Sequence, residues 1–172
     1  MEEKPTTPIN PEEAHRLKIL AKINAALKSL GSSATYRRAY EALPEYKPLE
    51  NMNIAMVDDS ANIGEAFIPH FMIATNGNMS FILHKDQSLA TFVKKILEVK
   101  PDIVLIDYTL ENGIKGDDLA RLLLYEGFSG KIVGFSSSAF YNKKFTDIGA
   151  LAVKKDTSEP INSVIALANL IK

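Results

Sequence analysis

Two aspartates stand side by side at Asp58-Asp59, directly after the apolar run Ile54-Ala55-Met56-Val57, and a third, Asp107, closes Ile103-Val104-Leu105-Ile106. Ser136 follows the apolar stretch Lys131–Phe135, and the pair Lys154-Lys155 follows Leu151-Ala152-Val153. Each of these polar groups comes at the end of a short apolar segment. If the segments are strands of one parallel sheet, their carboxyl ends share a rim, the edge where open α/β sheets bind ligands. Three carboxylates, a hydroxyl and an amine from Lys154 or Lys155 then meet there. Close carboxylates raise one another's pKa unless a cation sits among them, and the cation that suits hard oxygen donors in an octahedral site is Mg²⁺. An aspartate beside Mg²⁺ can act as a nucleophile toward phosphorus, giving an aspartyl phosphate. The new phosphoryl oxygens then need the metal, an ammonium and a hydroxyl to neutralise them.

Strands must carry these groups, and the chain supplies them. Ile103–Ile106 is apolar throughout and rich in β-branched residues, as expected of a strand buried on both faces. Residues 53–57, Ser80–His84, Lys131–Phe135 and Leu151–Val153 read as four more. Helical patterns lie between them. They cover about Asn62–Thr75, with Pro69 expected to kink or shorten the helix, Leu89–Val99 with Ser88 as cap, and Asp117 or Asp118 to Tyr125. A short, poorly patterned helix follows over Phe140–Ile148, and a last one over Glu159–Ile171 with Ser158 as cap. Alternating strands and helices with right-handed crossovers predict an α/β fold, a flavodoxin-like doubly wound five-stranded parallel sheet of order 2-1-3-4-5.

An N-terminal helical hairpin is expected ahead of this sheet. Asn10 can cap a first helix, Pro11 suits its first position, and Leu17, Leu20, Ile23 or Asn24, Leu27 and Leu30 form a stripe ending at Gly31. A second helix from Ser33 places Tyr36, Ala39, Tyr40 and Leu43 on one face before Pro44 and Pro48 make a linker. Residues 1–47 thus read as tail, hairpin and linker, and 52–172 as the main domain. The hairpin either covers an apolar patch of that domain or joins two copies as a homodimer.

The 172 residues, 46% hydrophobic and 24% charged, suit a globular chain with a real core. A net charge of −1 makes no electrostatic case for nucleic acid or an anionic membrane. No cysteine is present, which excludes disulfides and thiolate chemistry. No apolar run approaches the roughly 18 residues of a membrane span, and the polar N-terminus has no signal-peptide core; a cytoplasmic protein is expected.

Taken together, the acidic pair in AMVDDS, the aspartate in VLID, the hydroxyl in GFSS and the lysine in VKKD occur in order, each at a strand end. Over residues 52–172 the chain resembles the receiver domain of two-component response regulators. The resemblance implies that Asp107 is the phosphoacceptor and that Asp58, Asp59 and Asp107 hold Mg²⁺ with the backbone carbonyl of Thr109. It implies that Ser136 contacts the phosphoryl group and that Lys155, before Asp156, is the family's lysine, with Lys154 the rival. The implied partners are a sensor histidine kinase or phosphotransfer protein, and a downstream protein or an output domain elsewhere in a longer chain. Self-phosphorylation and slow autodephosphorylation are expected, not conventional enzyme turnover. Two positions depart from the family: Glu111 stands where a proline is usual, and Ala152 where an aromatic switch residue is usual. Phe140, Tyr141 and Phe145 in the preceding segment either substitute for that aromatic or, as expected first, belong to the core.

Singly, each motif has a plainer meaning. An Asp pair after a strand is commonly a helix cap, Ser136-Ser137-Ser138 a loop, and Lys154-Lys155 a solvated edge. His70 and His84 are read as structural, and His15 as exposed. Two rival functions stand beside the phosphorylation switch. One is a degenerate receiver serving as a phosphorylation-independent docking module, favoured by Ala152. The other is a haloacid-dehalogenase-like phosphatase, which asks for an acid two residues after the nucleophile, where this chain has Thr109.

Overall fold

The computed structural model describes residues 43–172 and five helical positions ahead of them, Pro11, Ala14, Lys18, Ala21 and Ala25. The rest of the expected hairpin, including His15 and the second helix from Ser33, lies outside the described residues.

Five strands form one parallel sheet in the order β2-β1-β3-β4-β5, the flavodoxin-like order expected. They are β1 (Ile54–Asp58), β2 (Met79–Leu83), β3 (Ile103–Ile106), β4 (Lys131–Ser136) and β5 (Leu151–Lys154). Five helices alternate with them: α1 (Ala61–Ala74), α2 (Leu89–Val99), α3 (Gly116–Tyr125), α4 (Ala139–Thr146) and α5 (Pro160–Leu170). Side chains alternate across a strand, and here they divide the core in two. Ile54, Met56, Ile103, Leu105, Val133 and Phe135 pack with α1 and α5. Ala55, Val57, Val104, Ile106 and Ile132 pack with α2, α3 and α4 on the other face. None of the described helices is long and apolar enough to cross a membrane.

Local chemistry sets the boundaries. Ser88 caps α2 by accepting the Thr91 N–H, and Lys100 ends it in the left-handed conformation. Pro69 lies inside α1, which continues through it to Ala74. All nine residues from Phe67 to Thr75 are buried, so the second half of this helix is covered all round, and α5 and the turn before β1 pack against the helix. That turn is the expected linker. It is a 3₁₀ helix, Pro44–Leu49, whose Tyr46 and Leu49 lie one turn apart and are both buried. Burial and the neighbouring Glu45 push the Tyr46 phenol up to about 12. The cap of α5 differs from expectation. Ser158 donates its hydroxyl to Asp156 Oδ1, and the same carboxylate takes the Glu159 N–H and the Asn162 amide. Glu159 stands at the cap position and no side chain caps the first N–H groups of α5; Asp156 instead organises the turn before the helix, a carboxylate having more acceptor sites than a hydroxyl. These three donors hold its pKa down at about 2.

Candidate functional site

The registers of the strands bring the polar groups to one edge. Val57 pairs with Ile106, so Asp58 and Asp107 leave adjacent strands side by side, and the Asp107 N–H bonds the Val57 carbonyl at 3.0 Å. Ser136 pairs with Lys154, and the next residue, Lys155, donates its N–H to the Ser136 carbonyl at 3.0 Å. Alternation along β5 then decides between the lysines: Val153 is buried, Lys154 exposed and Lys155 buried.

Lys155 is the hub. Its Nζ lies 2.8 Å from Asp58 Oδ2 and 2.6 Å from Asp107 Oδ1. The two remaining carboxylate oxygens take backbone donors, Asp58 Oδ1 from the Ser60 N–H at 2.9 Å and Asp107 Oδ2 from the Thr109 N–H at 3.1 Å. Asp58, Asp107, Ser136 and Lys155 are all at most 9% exposed. Burial raises the Asp58 carboxyl above its usual value, and the Lys155 ammonium pulls it back only in part. Burial works the other way on Lys155, but the charges of Asp107 and Asp58 outweigh it and its pKa rises. Two carboxylates share one ammonium, so the buried trio carries an excess negative charge, and added positive charge is welcome there.

That excess is the test for Mg²⁺. The carboxylates of Asp58, Asp59 and Asp107 and the Thr109 carbonyl are hard oxygen donors of the type Mg²⁺ takes, and the charge balance favours a cation. The donor chemistry fits. The gathering does not yet: among the described residues no three His, Cys, Asp or Glu side chains form a set that could hold a metal. Asp58 and Asp107 turn to Lys155, and Asp59 is half-buried outside the trio. Ser136 Oγ accepts the Ser138 N–H at 3.3 Å, which leaves the hydroxyl proton to donate elsewhere.

Glycines allow the loops to close. A Cβ on Gly116 would stand 2.2 Å from the Asp107 carbonyl oxygen and 2.8 Å from the Phe145 ring. One on Gly134 would stand 2.1 Å from the same ring. Phe145 is therefore core, as expected. Phe140 and Tyr141 are not: they are 64% and 37% exposed, because the eight-residue α4 buries only its Phe145 side. Tyr141 instead stacks on Tyr108, the residue after Asp107, with ring centroids 4.3 Å apart. Position 152 on β5, half-buried, is alanine and offers no ring. His70 and His84 are both buried and make no contact with the trio's side chains; the His84 backbone N–H bonds the Asp58 carbonyl at 2.9 Å, and its ring meets Phe92 edge to face. Asn142 was not legible as part of the site, yet its side chain bonds the Ser136 backbone.

No protein-family model and no curated protein matches the sequence. Solved structures do. The receiver domain of the histidine kinase CKI1 from Arabidopsis thaliana, complexed with Mg²⁺ and BeF₃⁻, is 10% identical, with a TM-score of 0.51 over 73% of this chain and 95% of that one. The signal receiver domain of a modulated diguanylate cyclase from Desulfovibrio desulfuricans G20 is 17% identical, with a TM-score of 0.42 over 69% of this chain and 97% of that one. Strand order, helix placement and the first of these likenesses agree: this chain has the fold of a receiver domain.

Proposed function

We propose that the chain is a signalling switch that accepts a phosphoryl group on Asp107 from a phosphohistidine of a sensor kinase or phosphotransfer protein, and changes a protein contact as a result. The observation that carries this reading is Lys155 held between Asp107 and Asp58 at 2.6 and 2.8 Å, with buried Ser136 on the adjacent strand. An Asp107 carboxylate oxygen forms the bond to phosphorus while the phosphorus–nitrogen bond of the donor breaks, its electron pair leaving with the imidazole. Lys155, already beside Asp107, neutralises charge on the phosphoryl oxygens, and Ser136 donates its free hydroxyl proton to one of them. Asp58, Asp59, Asp107 and the Thr109 carbonyl would hold Mg²⁺, which when bound supplies further positive charge to those oxygens. Gly116, having no side chain, packs close against the Asp107 carbonyl.

Intact mass before and after incubation with Mg²⁺ and acetyl phosphate tests the reading. One added phosphoryl group, roughly 80 Da on an aspartate, is expected in the parent and absent in Asp107→Asn. Equal gain in the variant would refute the assignment of Asp107.

A further inference from the structure

Two consecutive residues of α4 reach the two loops that carry the reacting groups. Asn142 Oδ1 accepts the Ser136 N–H at 3.1 Å, and its Nδ2 donates to the Ser136 carbonyl at 2.9 Å and to the Val153 carbonyl of β5 at 3.3 Å. The side-chain amide is thus paired on both of its ends. Ser136 faces β5: it pairs with Lys154, and its carbonyl also takes the Lys155 N–H at 3.0 Å. Asn142 adds a side-chain bridge at the end of this pairing, joining Ser136 of β4 and the Val153 carbonyl of β5 through one amide.

Tyr141 does the equivalent for the other loop. Its ring lies nearly parallel to that of Tyr108, at 12°, and Tyr108 also sets its ring edge to face against Phe145, three residues beyond Asn142. The Tyr141 N–H bonds Ser138 Oγ, and the Ser138 N–H bonds Ser136 Oγ. One turn of α4 therefore grips the backbone of Ser136 and the neighbour of Asp107 together.

We infer that Asn142 is a positioning residue for Ser136 in phosphoryl transfer, with Tyr141 tying the same turn to Tyr108; this rests on the function proposed above. Asn142 touches no reacting atom. It fixes the backbone from which the Ser136 hydroxyl projects, so its contribution to the rate passes through that hydroxyl.

A double-mutant cycle tests this. The rate of phosphoryl gain from acetyl phosphate is measured in the parent, Asn142→Ala, Ser136→Ala and the double variant, with urea stability measured alongside. Asn142→Ala is expected to slow the reaction about tenfold, equivalent to about 1.4 kcal/mol in the barrier. In the Ser136→Ala background the same change is expected to cost less than twofold, since the group it positions is gone. Asn142→Asp keeps the acceptor for Ser136 N–H and loses both donors. It guards against a poorly folded alanine variant and is expected to slow the reaction in the parent background alone. An undiminished effect of Asn142→Ala or Asn142→Asp in the Ser136→Ala background would overturn the inference and leave a merely structural role. A parent that gains phosphate alongside Asn142 variants of equal rate overturns the inference but not the proposed function. A parent that gains none overturns both.

Discussion

Replacing Lys155 by methionine removes the one ammonium that Asp58 and Asp107 share. The side chains of the three are 9%, 2% and 12% exposed, so little water is at hand to take over. Breaking a buried ion pair from one side costs about 3–5 kcal/mol. A second route sets a ceiling. An unpaired buried carboxylate can shed its charge by taking up a proton, at about 1.4 kcal/mol for each pH unit above its ordinary pKa of 3.8. For one carboxylate that is about 4 kcal/mol at pH 7 and about 1.6 kcal/mol at pH 5. The sign follows: in the variant the folded pKa lies above 3.8, so the loss is present at neutral pH and fades as pH falls toward the unfolded value. With a urea slope of about 2 kcal/mol per molar, the midpoint should drop by about 1.5–2 M at pH 7 and by less than about 1 M at pH 5. Urea unfolding followed by circular dichroism, parent against Lys155→Met at both pH values, reads this directly. A drop below about 0.5 M at pH 7, within the range of an exposed pair, would refute the reasoning, and so would a drop equal at the two pH values.

Three further outcomes are expected. Gly116→Ala presses a methyl group onto the Asp107 carbonyl at 2.2 Å, so it should cost at least about 1–3 kcal/mol and slow phosphoryl gain, measured by urea unfolding and intact mass. Asp156 has its pKa depressed from 3.8 to about 2, so its contribution is present above the unfolded value and is lost as pH falls through about 2; the melting-temperature gap between parent and Asp156→Ala should narrow in that window. Thr109 is a short exposed hydroxyl, and Ser138 spends its own on capping α4. Neither is well suited to orient a water for hydrolysis, so the phosphorylated mass should persist for minutes, with Thr109→Asn decaying faster; a parent half-life of seconds would contradict this.

Strand and helix order were legible because the chain alternates cleanly: apolar runs such as Ile103–Ile106 and stripes such as Phe92, Val93 and Ile96 have no second reading at those lengths. The groups at strand ends were legible for the same reason, since a parallel sheet leaves little choice about which ends meet. Lys154 and Lys155 stayed open because one residue of register separates them, and only the pairing of Ser136 with Lys154 resolves it. Phe140 and Tyr141 were misplaced as core because a short helix with weak periodicity does not reveal which side it buries. Asn142 carried no signal at all: its bonds go to backbone groups of β4 and β5, and partners of that kind depend on how elements pack, not on spacing along the chain. A Ser138 cap three residues before Tyr141 was the one available clue to where α4 begins.

Lys155 reaches Asp58 across 97 residues and Asp107 across 48. The trio therefore has no local precursor, and a chain still emerging from the ribosome carries the aspartates long before it carries the centre. β5 is also an edge strand, paired on one side only, with β4. Peeling it away would withdraw the ammonium while leaving four strands paired, so the proposed reactivity of Asp107 would vanish through a partial opening that is cheaper than global unfolding. On that proposal, phosphoryl gain reports the docking of β5 as well as the state of Asp107, and destabilised variants should fall silent before they fall apart.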